Sequence, residues 1–179
     1  MTGLNPIFGR MVRALSFDER LYSEIADDRD AITQAGMIVV AGAMAQVIGT
    51  QAGTGWFLLT FMVRLLAWWL ALSLITYLVG NRLFPPLPTD FGVGAPAPDF
   101  FKVARVLGFA MTPRLFRVLT FVPAFGPIVF YLVTFWQIAL MLIAVRVTFG
   151  YSETVRAAWA VGVGFVPLML IEPFILGGV

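Results

Sequence analysis

Cysteine and histidine are both absent from the 179 residues, and charge is scarce, at 12% of positions against 60% hydrophobic ones. Without cysteine there is no disulfide, no thiolate nucleophile and no sulfur-ligated metal. Without histidine, imidazole acid–base chemistry and the commonest nitrogen metal ligand go as well. A metal site built on carboxylates alone is the remaining option. However, the acids gather mainly at Asp18, Glu19, Glu24, Asp27, Asp28 and Asp30, in a stretch that reads as solvated. A glycine-rich phosphate loop is missing too, because Gly92-Val93-Gly94 lies among prolines instead of between a strand and a helix. Met1 to Met11 is too polar for the apolar core of a signal peptide. The sequence therefore points away from catalysis and calls for no cofactor.

What is present is apolar surface. Soluble domains carry about 25% charged and about 45–50% apolar residues, whereas the mean hydropathy here is +0.90. One core of this size could not hide so much, so lipid must be part of the solvent. The expected fold is all-α, a polytopic membrane helical bundle with five transmembrane helices, the N-terminus cytoplasmic and the C-terminus exterior.

The chain divides into a leader, residues 1–30, and a membrane domain, residues 31–179. In the leader, Ile7, Met11, Leu15, Leu21 and Ile25 alternate at helical spacing with Arg10, Arg13, Asp18, Glu19 and Arg20. Ser16-Phe17-Asp18-Glu19 has the form of a capping box, so a short amphipathic helix should start near Phe17. It reads either as a solvated helix or as an interfacial one, with Phe8, Arg10 and Arg13 suited to the headgroup boundary. Spans are expected at about 31–51, 55–79, 102–121, 128–146 and 153–176, close to the ~20 residues that cross a bilayer. Gly36, Ala41, Gly42, Ala43 and Ala45 give the first a small-residue face for close helix approach. Between the second and third, residues 81–99 hold Pro85, Pro86, Pro88, Pro96 and Pro98 and read as an extended aqueous linker. The stretch 102–121 is the ambiguous one, since Pro113, Arg114 and Arg117 interrupt it.

Orientation follows from the basic residues. With five spans, Arg10, Arg13, Arg20, Arg29, Arg82, Lys102, Arg105, Arg146 and Arg156 fall on one side, and the opposite links hold no lysine or arginine. That asymmetry is the positive-inside pattern. A four-span alternative, with 100–117 interfacial, would place Arg146 and Arg156 outside and fits the charges less well.

Six polar residues then remain at membrane depth: Arg64, Arg114, Arg117, Glu172, Gln46 and Gln137. Charges there cost a few kcal/mol on insertion scales and call for partners or a wet recess. They could meet in one polar layer. In one reading Glu172 pairs with an arginine while the others snorkel or bond to backbone freed by Pro113 and Pro173. In the other the layer binds an anion such as a lipid phosphate.

The second half of the chain carries a recognisable run. Arg105-Val106-Leu107-Gly108-Phe109-Ala110 leads to Pro113 and then Val122-Pro123-Ala124-Phe125-Gly126. Trp136, Ile143-Ala144-Val145-Arg146, Phe149-Gly150-Tyr151-Ser152 and Arg156-Ala157 follow. Together with Phe17 to Arg29 and Gln34, this resembles the Yip family, small five-span membrane proteins first known as partners of Ypt/Rab GTPases, with many bacterial members. The resemblance runs over about residues 15–175. It implies a cytoplasmic leader, five helices and a very short exterior tail. Eukaryotic relatives are linked to vesicle traffic and membrane shaping, but the short leader here leaves little room for a GTPase-binding domain. The expected role is thus a non-catalytic protein of the bacterial cytoplasmic (inner) membrane that organises lipid or protein partners. Those partners would be membrane lipids, anionic ones among them, further copies of the chain or other membrane proteins, and not nucleic acid. A small transporter or channel for an anionic solute is the competing class.

Overall fold

The computed structural model describes residues 4–51, 55–85, 97–122 and 124–176, with side chains described for 7–170 of these. The described residues form seven α-helices and one long 3-10 segment, with no strand among them. The leader makes two helices instead of one, α1 (Leu4–Leu15) and α2 (Glu19–Asp27). The capping box does not form. Ser16 spends its hydroxyl on the Val12 carbonyl behind it at 2.9 Å, and Phe17 turns the chain through a left-handed φ of 61°. Asp18 caps α2, its carboxylate accepting from the amides of Arg20 and Leu21 at 3.0 and 3.4 Å. An ionised acceptor at a helix N-terminus outcompetes a hydroxyl two residues further back, so α2 starts at Glu19.

Helices α3 (Ala31–Thr50), α4 (Trp56–Arg82) and α6 (Gly126–Phe149) are each long and apolar enough to cross a membrane, and α7 (Thr154–Leu176) is a further apolar helix. The ambiguous stretch is built in two pieces, α5 (Phe100–Ala110) followed by the 3-10 segment Thr112–Phe121. Pro113 explains the change. It has no N–H to give the Phe109 carbonyl, and its ring blocks a continued α-turn. The Thr112 hydroxyl takes that carbonyl instead at 2.6 Å, and the Arg114 amide closes a tighter turn on Met111 at 2.9 Å. Most of the proline-rich linker, residues 86–96, lies outside the described residues.

From Val103 to Arg114 every residue is buried. A helix buried all round belongs at the centre of a bundle, and α5 indeed packs against α2, α3, α4 and α6. Close approach to α3 rests on small residues spaced seven apart. A Cβ on Gly108 would come 2.6 Å from Ala35 Cβ; one on Gly42 would meet Arg114 Cβ at 3.2 Å; one on Gly49 would lie 2.0 Å from the Arg117 carbonyl oxygen. The seam is therefore Ala35, Gly42 and Gly49. Of the small residues singled out in the sequence, Gly42, Ala43 and Ala45 are buried, whereas a Cβ on Gly36 would meet nothing within 4 Å. These pairings run in the same sense, so α3 and the α5/3-10 column are parallel. Trp69, whose indole N–H donates to the Ala104 carbonyl at 2.9 Å, and Tyr77, edge-on to Phe100, show α4 running antiparallel to that column.

Helix α2 docks on the end of the bundle where α3, α5 and α7 begin and α4 and α6 finish. Leu21, Tyr22 and Ile25 are fully buried. Around them, Asp27 pairs with Lys102 at 2.7 Å, Glu19 pairs with Arg146, and Arg10 reaches Asp28 at 2.7 Å and Gln34 at 2.9 Å. Each buried side chain contributes roughly 1.5–3 kcal/mol, while exposed ion pairs give about 0–1 kcal/mol each. Apolar burial therefore holds the leader down, and the charges set its register.

The run Phe149-Gly150-Tyr151-Ser152 has a structural task at this same end. Gly150, at φ 63°, closes α6, and its neighbour's amide returns to the Arg146 carbonyl at 2.9 Å. Phe149 fills the space left by Gly80, where a Cβ would come within 2.4 Å of its ring. The Tyr151 hydroxyl donates to the Phe84 carbonyl at 2.8 Å and lies 3.2 Å from that of Gly80, covering the end of α4.

Candidate functional site

Three residues per turn is the period that matters here. In a 3-10 helix, residues i and i+3 eclipse, so Arg114, Arg117 and Thr120 stand in one row. Both arginines are only 6% exposed. The intervening positions Phe116 and Leu119 are exposed and apolar. Thr120 turns its hydroxyl back to the Arg117 carbonyl at 2.7 Å, beneath the gap left by Gly49.

Each guanidinium is held from several sides. Arg114 donates its Nε–H to Gln137 Oε1 at 2.9 Å, and its Cζ sits 5.0 Å from the centre of the Trp68 ring. Arg117 donates to Gln46 Oε1 at 2.8 Å and to the Thr134 hydroxyl at 3.1 Å, with Cζ 4.5 Å from the centre of the Phe130 ring. Thr134 in turn donates to the Phe130 carbonyl at 2.7 Å, so its oxygen is free to accept. The row thereby ties the 3-10 segment to α3 through Gln46, to α4 through Trp68 and to α6 through Thr134 and Gln137. Phe116 stacking on Trp136 at 5.7 Å and 13° closes the outer side.

Four of the six polar residues expected in one layer thus come together: Arg114, Arg117, Gln46 and Gln137. Arg64 does not join them by any hydrogen bond or ion pair among the described residues. It is half-buried on α4, one helical turn before Trp68 on the same face. Glu172 falls within α7, but its side chain lies outside the described residues. Three partners escaped the sequence reading, namely Thr134, Trp68 and Phe130. A threonine in an apolar helix has no polar signature of its own. Only its spacing from Gln137, three residues on, hinted at a shared face.

Arg105 also behaves differently from its expected place in an aqueous link. It is 5% exposed and donates to the Ala26 carbonyl at 2.5 Å, at the C-terminus of α2. There a cation meets the last unpaired carbonyls and the negative end of the helix dipole. Leader electrostatics outside the bundle are simpler. The Arg13 guanidinium, bonded to Asp18 at 2.7 Å and to Glu24 at 2.8 and 3.0 Å, holds both carboxyls below their ordinary range; Arg10 does the same to Asp28.

Guanidinium, amide, hydroxyl and aromatic rings make up the described cluster. None of them exchanges a proton near neutrality, so what these groups can do is bind, orient and brace. Apolar helices long enough to cross a bilayer, gathered around such a cluster, define an integral membrane protein of the helical-bundle class. The chain belongs to the Yip family: residues 15–172 match the family model described as the Yip1 domain. No curated protein and no solved structure matches the chain.

Proposed function

We propose that this protein is a non-catalytic organiser of the membrane, crossing it five times with the leader in the cytoplasm and the chain end outside. Its place would be the bacterial cytoplasmic membrane. The reading is carried by one observation. The arginine row is closed by its own chain, 6% exposed and bonded to Gln46, Thr134 and Gln137. A conduit for anions would need those guanidiniums facing water along a continuous path; a brace needs them as they are. The alternating sense of α3, α4, the α5/3-10 column, α6 and α7 supports five crossings.

Lipid organisation enters through Arg64, a member of the polar set that makes no hydrogen bond or ion pair with the row among the described residues. Side chains on a helix lean toward its N-terminus. Arg64 is eight residues from Trp56, roughly 12 Å along the axis. Its guanidinium therefore leans toward the Trp56 end, where it can reach an anionic headgroup while its stem stays in the apolar layer. Other membrane proteins or further copies would be gathered by the exposed helix faces.

Purification with native lipids tests this. Arg64→Ala should lower the anionic lipid that co-purifies and leave the melting temperature unchanged. Arg114→Ala should lower the melting temperature. Unchanged lipid content in Arg64→Ala would remove the headgroup role. Anion flux in proteoliposomes, abolished by Arg114→Ala, would replace the whole reading with transport.

A further inference from the structure

We infer that α1 is an in-plane anchor whose free face, Phe8, Gly9 and Val12 continued by Phe17, is seated on lipid at the headgroup–acyl boundary. The large residues of that face are strongly exposed, Phe8 at 68%, Val12 at 47% and Phe17 at 45%. The opposite face is spent on protein, with Ala14 fully buried and Met11 packed against the core.

Position argues for lipid as the occupant. Helix α1 packs against α2, α5 and the 3-10 segment. The latter two belong to the column at the centre of the membrane bundle, so α1 lies along the flank of the bundle and not beyond its end. Arg10 donates to Gln34 on the first turn of α3 at 2.9 Å, which sets α1 beside the start of that long helix. Charge argues the same way. Both arginines of α1 are engaged by the chain itself, Arg10 bonding Asp28 and Gln34, Arg13 bonding Asp18 and Glu24. Their neutralisation leaves the outward face without a charged group, which suits acyl chains and penalises water. Meanwhile Arg20 and Arg29, exposed on the rest of the leader, have no side-chain partner among the described residues and complement anionic headgroups. The headgroup contacts are therefore not Arg10 and Arg13, as the sequence suggests, but this second pair.

The cysteine-free chain makes the test direct. Single cysteines at Gly9, Phe8 and Val12, and at Ser23 on the exposed side of α2, would carry a nitroxide spin label in protein reconstituted into vesicles containing phosphatidylglycerol. Gly9→Cys adds atoms where a Cβ meets nothing within 4 Å, so folding is undisturbed there even if Phe8→Cys fails. Labels at 8, 9 and 12 should collide more often with oxygen, which partitions into lipid, than with a water-soluble nickel chelate. The label at 23 should show the reverse. Nickel-dominated collisions at 8, 9 and 12, matching position 23, would overturn the inference. So would protection from both reagents, which would mean protein covers the face; disulfide cross-linking between Phe8→Cys copies would then identify a second chain.

Discussion

Replacing Gly108 by alanine should loosen the bundle at the point that sets the arginine row, and a second substitution should repair it. The added Cβ would lie 2.6 Å from Ala35 Cβ and 3.2 Å from Ala35 Cα, against the ~3.5–4.0 Å at which carbon atoms attract. The helices must part by about 1 Å, and overpacking of that kind costs roughly 1–3 kcal/mol. Ala35→Gly alone removes one methyl, about 0.8 kcal/mol, and adds a glycine inside a helix, about 1 kcal/mol. In the double variant the methyl merely changes sides, and the two propensity terms cancel. Only the 3.3 Å approach to Trp69 Nε1 and the contact to the Cα of residue 35 stay tight. The pair should therefore recover to within about 1 kcal/mol of the parent, a coupling on the order of 2 kcal/mol where independent sites would add. Reversible unfolding in mixed micelles, followed by tryptophan fluorescence, measures all four corners of the cycle. Additive losses would refute the close approach of α3 and α5 at this pair.

Three further outcomes follow. Gln46→Leu should destabilise by about 0.6–1.7 kcal/mol, the range of interhelical hydrogen bonds in membranes, because Arg117 loses its 2.8 Å acceptor on α3; no change in micelle unfolding would mean the row does not brace α3. Tyr22→Phe should be neutral or stabilising by up to about 1 kcal/mol, since the buried hydroxyl has no hydrogen-bond partner among the described residues; a clear loss would reveal a missing partner. Asp18, Glu24 and Asp28 are held below their ordinary values of 3.8, 4.5 and 3.8, so the folded leader binds fewer protons than the unfolded one. Its ion-pair contribution is complete above those values and fades as pH falls through and below them. A spin label at Ser23→Cys should gain mobility in that acid range and with added salt, and mobility independent of both would show that the pairs are idle.

The proposed organising role and the proposed anchor draw on different places. The arginine row ties the 3-10 segment to α3, α4 and α6 at the centre of the bundle. In the proposed reading, Arg64 and the free face of α1 are what the bundle turns toward lipid. Substitutions at Phe8 or Val12 should leave the row intact, and substitutions at Gln46 should leave lipid contact by α1 intact.

Much of this molecule could be read from residue order, and the boundary has a physical cause. Composition had to match the solvent, because 60% hydrophobic residues cannot be hidden in one core of this size; hence the helical membrane class was visible at once. Local chemistry also spoke plainly: Pro113 marked the interruption, and Arg114 and Arg117, three apart, hinted at a common face. Their actual alignment needed the 3-10 winding, which forms because the Phe109 carbonyl finds Thr112 and the row finds α3, α4 and α6. The same holds for the leader. Its acids and arginines looked solvated or lipid-bound one by one. Only the packed fold pairs Arg10 with Asp28, sends Arg105 to Ala26 and Arg146 to Glu19, and leaves Phe8 and Val12 as the free face. Such partners lie far apart along the chain, and which helices become neighbours is settled by packing of the whole, by where a glycine lets two backbones touch.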